Sequence, residues 1–385
     1  MDDYLKLPET FEEFSEARKN GFIRVKKIKE EGGLIAGVFC TYTPLEILDA
    51  AGLTAVGLCG MSNETIPAAE SELPKNLCPL IKSSYGFALS DKCPYTYFSD
   101  IIIGETTCDG KKKMYELLGE IKDTYIIQLP QGQDRAYSAE LWTKELRRLI
   151  RTLEEKFGVE ITDEKLRSAV CLRNDERKAK TELMELSRLQ PPPLRGLDLY
   201  KVLEGSGFVF DIAASAEAMQ STKRKALEKY EAGDRPVSKN AKRILVTGCP
   251  IGGVLEKTVG TIESSGGVVV CFENCGGVKA TRELADAEAD DIVQEISRRY
   301  LNIGCAIMTP NQNRVNLIRS LVDEYHIDGV VEILLQACHP YTVEAHTIRR
   351  LSSEIGMPYL GIETDYSNTD TGQLSTRIEA FMEML

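Results

Sequence analysis

Residues 100–120 read DIIIGETTCDGKKKMYELLGE. The run Ile101-Ile102-Ile103 is apolar on both faces, the pattern of a strand in a parallel sheet covered by helices. Beyond Thr106, Thr107 and Cys108 the period changes. Met114, Leu117, Leu118 and Ile121 share one helical face, behind Lys111, Lys112 and Lys113. The unit is a strand that runs into a cysteine, followed at once by a helix.

That unit recurs on both sides. In the first third, strands are expected at Leu34–Cys40, Ala55–Cys59, Asp100–Glu105 and Thr124–Pro130. Between Ala136 and Lys242 the pattern turns to long helices, as in AELWTKELRRLIRTLEEKFG, until Pro191-Pro192-Pro193 interrupts it. From Arg243 the alternation returns, with strands expected at Arg243–Gly248, Val268–Asn274, Gly304–Met308, Gly329–Gln336 and Pro358–Glu363. The expected fold class is α/β with parallel sheets: an N-terminal region (1–135), a helical segment (136–240) and a C-terminal region (241–385). The two α/β regions share a layout, but their residue identities do not establish a duplication.

Composition narrows the function classes. Over 385 residues, 43% hydrophobic and 28% charged is a globular balance. With 47 basic against 59 acidic residues the formal charge is −12, which argues against a nucleic-acid partner. No apolar run approaches the length of a membrane span. Met1–Asn20 carries Asp2, Asp3, Glu9, Glu12 and Glu13, unlike a secretory signal, so a cytoplasmic location is expected.

Eleven cysteines remain to be explained. Reduced thiols in a cytosolic chain can be buried filler, nucleophiles or metal ligands. There is no C-x-x-C pair and histidine is confined to His326, His339 and His346, so zinc sites are disfavoured. Position is more informative than spacing. Cys40, Cys78, Cys108, Cys249, Cys275 and Cys338 all fall at expected junctions into helices, which random scatter does not produce. Ligands of open parallel sheets bind beyond the strand carboxyl ends. Helix N-termini there stabilise anionic sulfur, which suits an iron–sulfur cluster. Cys171 and Cys271 read as structural. Glycines in TGCPIGG and ENCGG serve either a tight turn or close approach to a ligand. Neither a G-x-x-x-x-G-K-[ST] loop nor a G-x-G-x-x-G fingerprint occurs, so ATP and NAD are not expected on this chain.

The segments NLCPLIKSSYG, TTCDGKKKMYE, QACHPYTVE and ETDYSNTDTGQLSTRIEAFMEML resemble the 2-hydroxyacyl-CoA dehydratase and benzoyl-CoA reductase family, through both α/β regions. The resemblance implies two Rossmann-like domains with an iron–sulfur cluster in the cleft between them. It implies cluster ligands at Cys78, Cys108 and Cys338, and electrons from a separate ATP-hydrolysing [4Fe–4S] reductase. The chain departs from the dehydratases in having Cys93, Cys249 and further extra cysteines. These additions resemble the double-cubane cluster proteins of the same superfamily, where two cubanes form an [8Fe–9S] group. A second cubane would take Cys93, Cys249 and Cys275, with Cys305 and Cys59 as reserves, while Cys40 has no assignment.

The leading expectation is therefore an oxidoreductase component, a homodimer, that reduces a small molecule such as acetylene, azide or hydrazine with electrons from a partner ATPase. Lys82, Ser83, Ser84, Tyr85 and His339 are candidates to tune or protonate, and His339 is the candidate catalytic residue. Two alternatives stand beside it. One is a 2-hydroxyacyl-CoA dehydratase subunit with a single [4Fe–4S] cluster, and the other is a non-catalytic cluster carrier.

Overall fold

The computed structural model describes residues 11–385, with side chains described from Lys19 onward. Two four-stranded sheets, each wholly parallel, organise it. The first contains β1 (Leu34–Val38), β2 (Leu53–Gly57), β3 (Ile101–Glu105) and β4 (Thr124–Ile127) in the order β2-β1-β3-β4. The second contains β5 (Lys242–Gly248), β6 (Gly267–Phe272), β7 (Gly329–Leu335) and β8 (Tyr359–Thr364) in the order β6-β5-β7-β8. Strand for strand the orders are the same, so each sheet reverses direction of winding between its first and third strands. That is the topological switch point, where parallel sheets open a crevice at their carboxyl edge. β3 and β7 are buried along their whole length, including the carboxylates of Glu105 and Glu332.

The strand expected at Gly304–Met308 is not formed. Met308 N–H donates to Cys305 O at 3.0 Å and Thr309 N–H to Gln131 O at 2.9 Å, so the segment is a turn. Gly304 packs so closely on the backbone of Arg314 that a Cβ would lie 2.7 Å from its nitrogen. The run is apolar because Cys305, Ala306 and Met308 pack into the core without joining either sheet. The segment after Cys249 is helical but not uniformly α, with a 3₁₀ turn at Gly252–Val254, a π turn at Glu256–Gly260 and an α turn at Thr261–Ser264.

The helical segment ties the halves together. Ser138–Phe157 turns Trp142, Leu146, Leu149 and Leu153 inward, all at 0% exposure, on the spacing of one helical face. These side chains join Ala36, Ile101 and Ile103 of the first sheet and Ile244, Val246 and Val331 of the second in one continuous core. Among them lies a buried polar junction. Glu46, in the helix Leu45–Ala50, pairs with Arg177 of Asp163–Glu185 at 2.6 Å. Tyr300 of Ile292–Leu301 donates to Glu46 Oε2 at 2.8 Å and accepts from Leu45 N–H at 2.9 Å. Beside it Arg173 forks onto both Asp49 carboxylate oxygens, at 2.6 and 2.8 Å. Charges taken out of water this completely persist only when paired and fully hydrogen-bonded.

Burial alone would raise the Glu46 carboxyl, but Arg177 and Arg299 outweigh it and hold the group at about 2. A depressed carboxylate stabilises the fold above its ordinary pKa of 4.5 and loses that contribution as pH falls towards 2. Glu46→Gln strands the Arg177 charge and should cost about 3–5 kcal/mol in urea denaturation. Its stability should also fall less steeply than the parent's between pH 4.5 and 2. An unchanged denaturation midpoint at neutral pH would contradict the role given to this junction.

Candidate active site

Every strand at the two switch points runs into a cysteine. Cys40, Cys59 and Cys108 follow β1, β2 and β3, while Cys249, Cys275 and Cys338 follow the matching strands β5, β6 and β7. Cys78 and Cys305 join them from connecting segments. Cys78, Cys108 and Cys338 each occupy the N-cap position of a helix: Pro79–Leu89, Asp109–Ile121 and His339–Glu354. The backbone amides of Leu80 and Ile81 face Cys78, Lys111 N–H faces Cys108 and Tyr341 N–H faces Cys338, each favouring the thiolate.

The thiols interact with one another across the two halves. The neighbouring thiol, Cys338 for Cys78 and Cys249 for Cys338, is the largest cause holding each of the two well above the usual thiol range. Cys249 also accepts from Leu335 N–H at 3.3 Å. It reaches that place because Gly248 has a φ of +107°, and a Cβ there would sit 2.2 Å from Ile333 O. Burial pushes the Cys40 thiol up most, and Cys305 and Cys275 add to the effect while Lys111 opposes it. Cys305 Sγ lies 3.9 Å from Tyr341 Oη. Cys108 is influenced by both Cys78 and Cys305, and Cys275 by Cys305 and Cys59, so eight thiols form one connected set.

Cations and carboxylates line the same region. The Lys279 side chain, at 0% exposure, lies 3.1 Å from Glu273 Oε1 and donates to Tyr341 Oη at 3.0 Å. Arg314 is equally buried and bonds Glu332 at 2.9 Å, Thr247 at 2.8 Å, Glu273 at 3.3 Å and Glu344. In the other half Lys111 donates to Phe39 O at 3.3 Å. Glu105, at the end of β3, accepts from Thr43. Its burial raises the carboxyl to about 7, against the pull of Lys111. Among the described residues no three His, Cys, Asp or Glu side chains converge to chelate a single metal ion.

Comparison with known proteins follows the same outline. The family model described as 2-hydroxyglutaryl-CoA dehydratase, D-component, matches residues 40–385. The chain belongs to this family. It is 49% identical over 380 residues to YjiM of Escherichia coli (strain K12), a protein named provisionally as a dehydratase subunit, covering 98% of both chains. It is 25% identical over 365 residues to the (R)-phenyllactyl-CoA dehydratase beta subunit of Clostridium sporogenes, covering 94% of each. A benzoyl-CoA reductase subunit of Thauera aromatica is 22% identical, over 84% of this chain and 83% of that one. The expected dehydratase and reductase superfamily is thereby established, and the chain is of the enzyme-subunit type. No helix among the described residues is long and apolar enough to cross a membrane.

Within this family member, the expected site residues separate. Cys78, Cys108, Cys338, Cys249 and Cys275 are brought together, as are the reserves Cys59 and Cys305. Cys93 lies apart from them. It opens the helix Pro94–Phe98, which leads into the start of β3 at the amino edge of the sheet. The 11 residues of Pro79–Leu89, about 16 Å of helix, separate it from Cys78. His339 adjoins Cys338 but its side chain is exposed. Lys82 is committed to Glu70 and Lys75 O, both at 2.8 Å, and Tyr85 to Glu72. Ser83 and Ser84 accept from Ser62 and Gly60 N–H at 3.1 and 3.0 Å, pinning that loop to the helix. The glycines of TGCPIGG make room for protein atoms, since a Cβ on Gly253 would meet Met61 O at 2.1 Å and the Tyr366 ring at 2.7 Å.

Three residues were not singled out beforehand, Lys279, Tyr341 and Tyr366, and Cys40 was placed at a strand end but given no assignment. Its offset, two residues past β1, matches that of Cys59 past β2. The strand-end reading would equally have reached Tyr366, two residues past β8.

Thiol labelling of the metal-free chain checks this placement. Cys171 is exposed and should label first with a maleimide, read by peptide mass spectrometry, whereas Cys249, Cys271 and Cys305 are buried and should wait for denaturation. Labelling of Cys249 as fast as Cys171 would show that the cleft is open.

Proposed function

We propose that this chain is the cluster-bearing component of a two-component reductase. Thiols at the carboxyl edges of the two sheets would hold an iron–sulfur group, an ATP-hydrolysing partner would supply electrons, and a small molecule would be reduced. The observation that carries the reading is the number of thiols gathered in one place. Six strand ends each contribute one, Cys78 and Cys305 add two more, and a single [4Fe–4S] cluster uses at most about four. The surplus supports a double-cubane group of the [8Fe–9S] type.

The donor chemistry fits such a group. Thiolates at helix N-termini are favoured by the amides and the helix dipole, which also suit bridging sulfides. Thr41 Oγ1, Thr107 Oγ1 and Tyr366 Oη are buried and have no hydrogen-bond partner among the described residues. Each lies beside the thiols, so each is a donor available to a sulfur acceptor. We assign Cys78, Cys108 and Cys338 to one cubane, with Cys249 against Cys338. The electrostatic influence of Cys305 on Cys275, and of both on Cys40, favours these three for the second, in place of Cys93.

When bound, the group supplies low-potential electrons one at a time. The chain's own residues do the rest. Lys279 and Lys111 set fixed positive charge beside the sulfurs, which offsets anionic charge in a site of low polarity. Tyr42, Tyr341 and Tyr366 wall the cleft and exclude water. A homodimer is part of the proposal, because one chain type supplies the whole ligand set.

A second reading, a dehydratase subunit with one [4Fe–4S] cluster, is favoured by the names of the relatives. Anaerobic iron and acid-labile sulfide analysis separates the two. The double-cubane reading expects close to twice the iron of a single cluster. Cys275→Ser and Cys40→Ser should each lower the iron by about half, while Cys93→Ser should leave it unchanged. A colourless, iron-free chain after strictly anaerobic purification would sink both readings.

A further inference from the structure

Tyr366 is an aromatic residue of the cleft whose polar end is buried without an acceptor. Its residue exposure is 7%, and its hydroxyl has no hydrogen-bond partner among the described residues. The contrast with its neighbours is informative. Tyr42 donates to Ile303 O at 2.6 Å, and Tyr341 accepts from Lys279 at 3.0 Å. Tyr300, farther away, is bonded to Glu46 at 2.8 Å. The ring of Tyr366 is held by the Gly252-Gly253 turn, which lies so close that a Cβ on Gly253 would touch it. Packing alone explains a phenylalanine here. The hydroxyl is left over, and a buried hydroxyl without a partner is destabilising, so natural proteins rarely keep one.

The hydroxyl's surroundings indicate what it is for. After burial itself, the groups that most oppose ionisation of this phenol are Cys78, Cys59, Cys249 and Cys338, in that order. These thiols come from both halves of the chain. Tyr366 stands two residues past β8 and so faces the carboxyl edge from the fourth strand of the second sheet, where no cysteine is available. We propose that Tyr366 donates its hydroxyl to a sulfur of the iron–sulfur group gripped by Cys78, Cys249 and Cys338, binding that group and raising its reduction potential. The inference rests on the proposed function, since it needs the thiols to hold such a group. A donor aimed at sulfur stabilises the reduced, more negative state, because hydrogen bonds to the sulfurs are among the determinants of cluster potential.

Tyr366→Phe tests it, as the ring is kept and only the oxygen goes. In the metal-free chain the substitution should not lower the melting temperature, because no bond is lost. In the iron-loaded chain it should shift the midpoint potential, followed by electron paramagnetic resonance, to a more negative value. Resonance Raman spectra in H₂O and D₂O give a second readout: an Fe–S stretching band should be deuterium-sensitive in the parent and lose that sensitivity in the variant. Loss of iron from a variant whose metal-free form melts normally would also support the contact. An unmoved potential with unaltered deuterium sensitivity would overturn the assignment, as would a lowered melting temperature of the metal-free variant. Failure of the parent chain to take up iron would instead overturn the functional reading beneath it.

Discussion

The relative placement of the two sheets depends on a buried ionic junction. Glu46 belongs to the first half, Arg177 to the helical segment and Tyr300 to the second half, and each satisfies the others. An apolar contact at that position would allow sliding, because dispersion is nearly indifferent to small translations. A carboxylate held between a guanidinium and a phenol keeps both contacts in only one arrangement. The desolvation cost of such a group is large, and it is offset only when every partner is present. The thiol set spans both sheets, so its spacing is determined by this junction as much as by the strands that carry it.

Within each sheet, the position of the thiols follows from topology. A parallel strand order that reverses between first and third strands leaves a crevice at its carboxyl edge, and helices leaving that edge present their amides to it. Cys40 and Cys108 flank the reversal in one sheet, and Cys249 and Cys338 flank it in the other. The repetition of strand order and of thiol position makes the halves equivalent in architecture. Their polar surroundings differ. The second half buries Arg314 and Lys279 among carboxylates, and the first half places Lys111 beside Glu105.

The sequence disclosed what depends on local pattern. Ile101–Ile103 and Met114–Ile121 are periodic, so the strand, the helix and Cys108 between them could be placed without coordinates. The same holds for Cys338 and Cys249. Gly304–Met308 misled because an apolar run signals burial, and only its hydrogen bonding to Gln131 and Cys305 distinguishes a packed turn from a strand. Cys93 has the same N-cap position as Cys78 and Cys108, and a cap signal does not say at which edge of the sheet the helix begins. Tyr366 was hidden for another reason. An unpartnered hydroxyl is a property of three-dimensional surroundings, and a tyrosine in a polar loop looks satisfied in one dimension.

The contact between Cys78 and Cys338 has a consequence for the order of events in maturation. One sulfur comes from each half of the chain, so the pocket does not exist until both halves have docked. Anything that bridges the pair is a tether between the halves, and its binding free energy adds directly to the free energy of unfolding. Occupancy would then add to the stability of the closed form. A ligand held across the pair would make the closed chain harder to open, and a chain that could not close its halves would have nowhere to bind one.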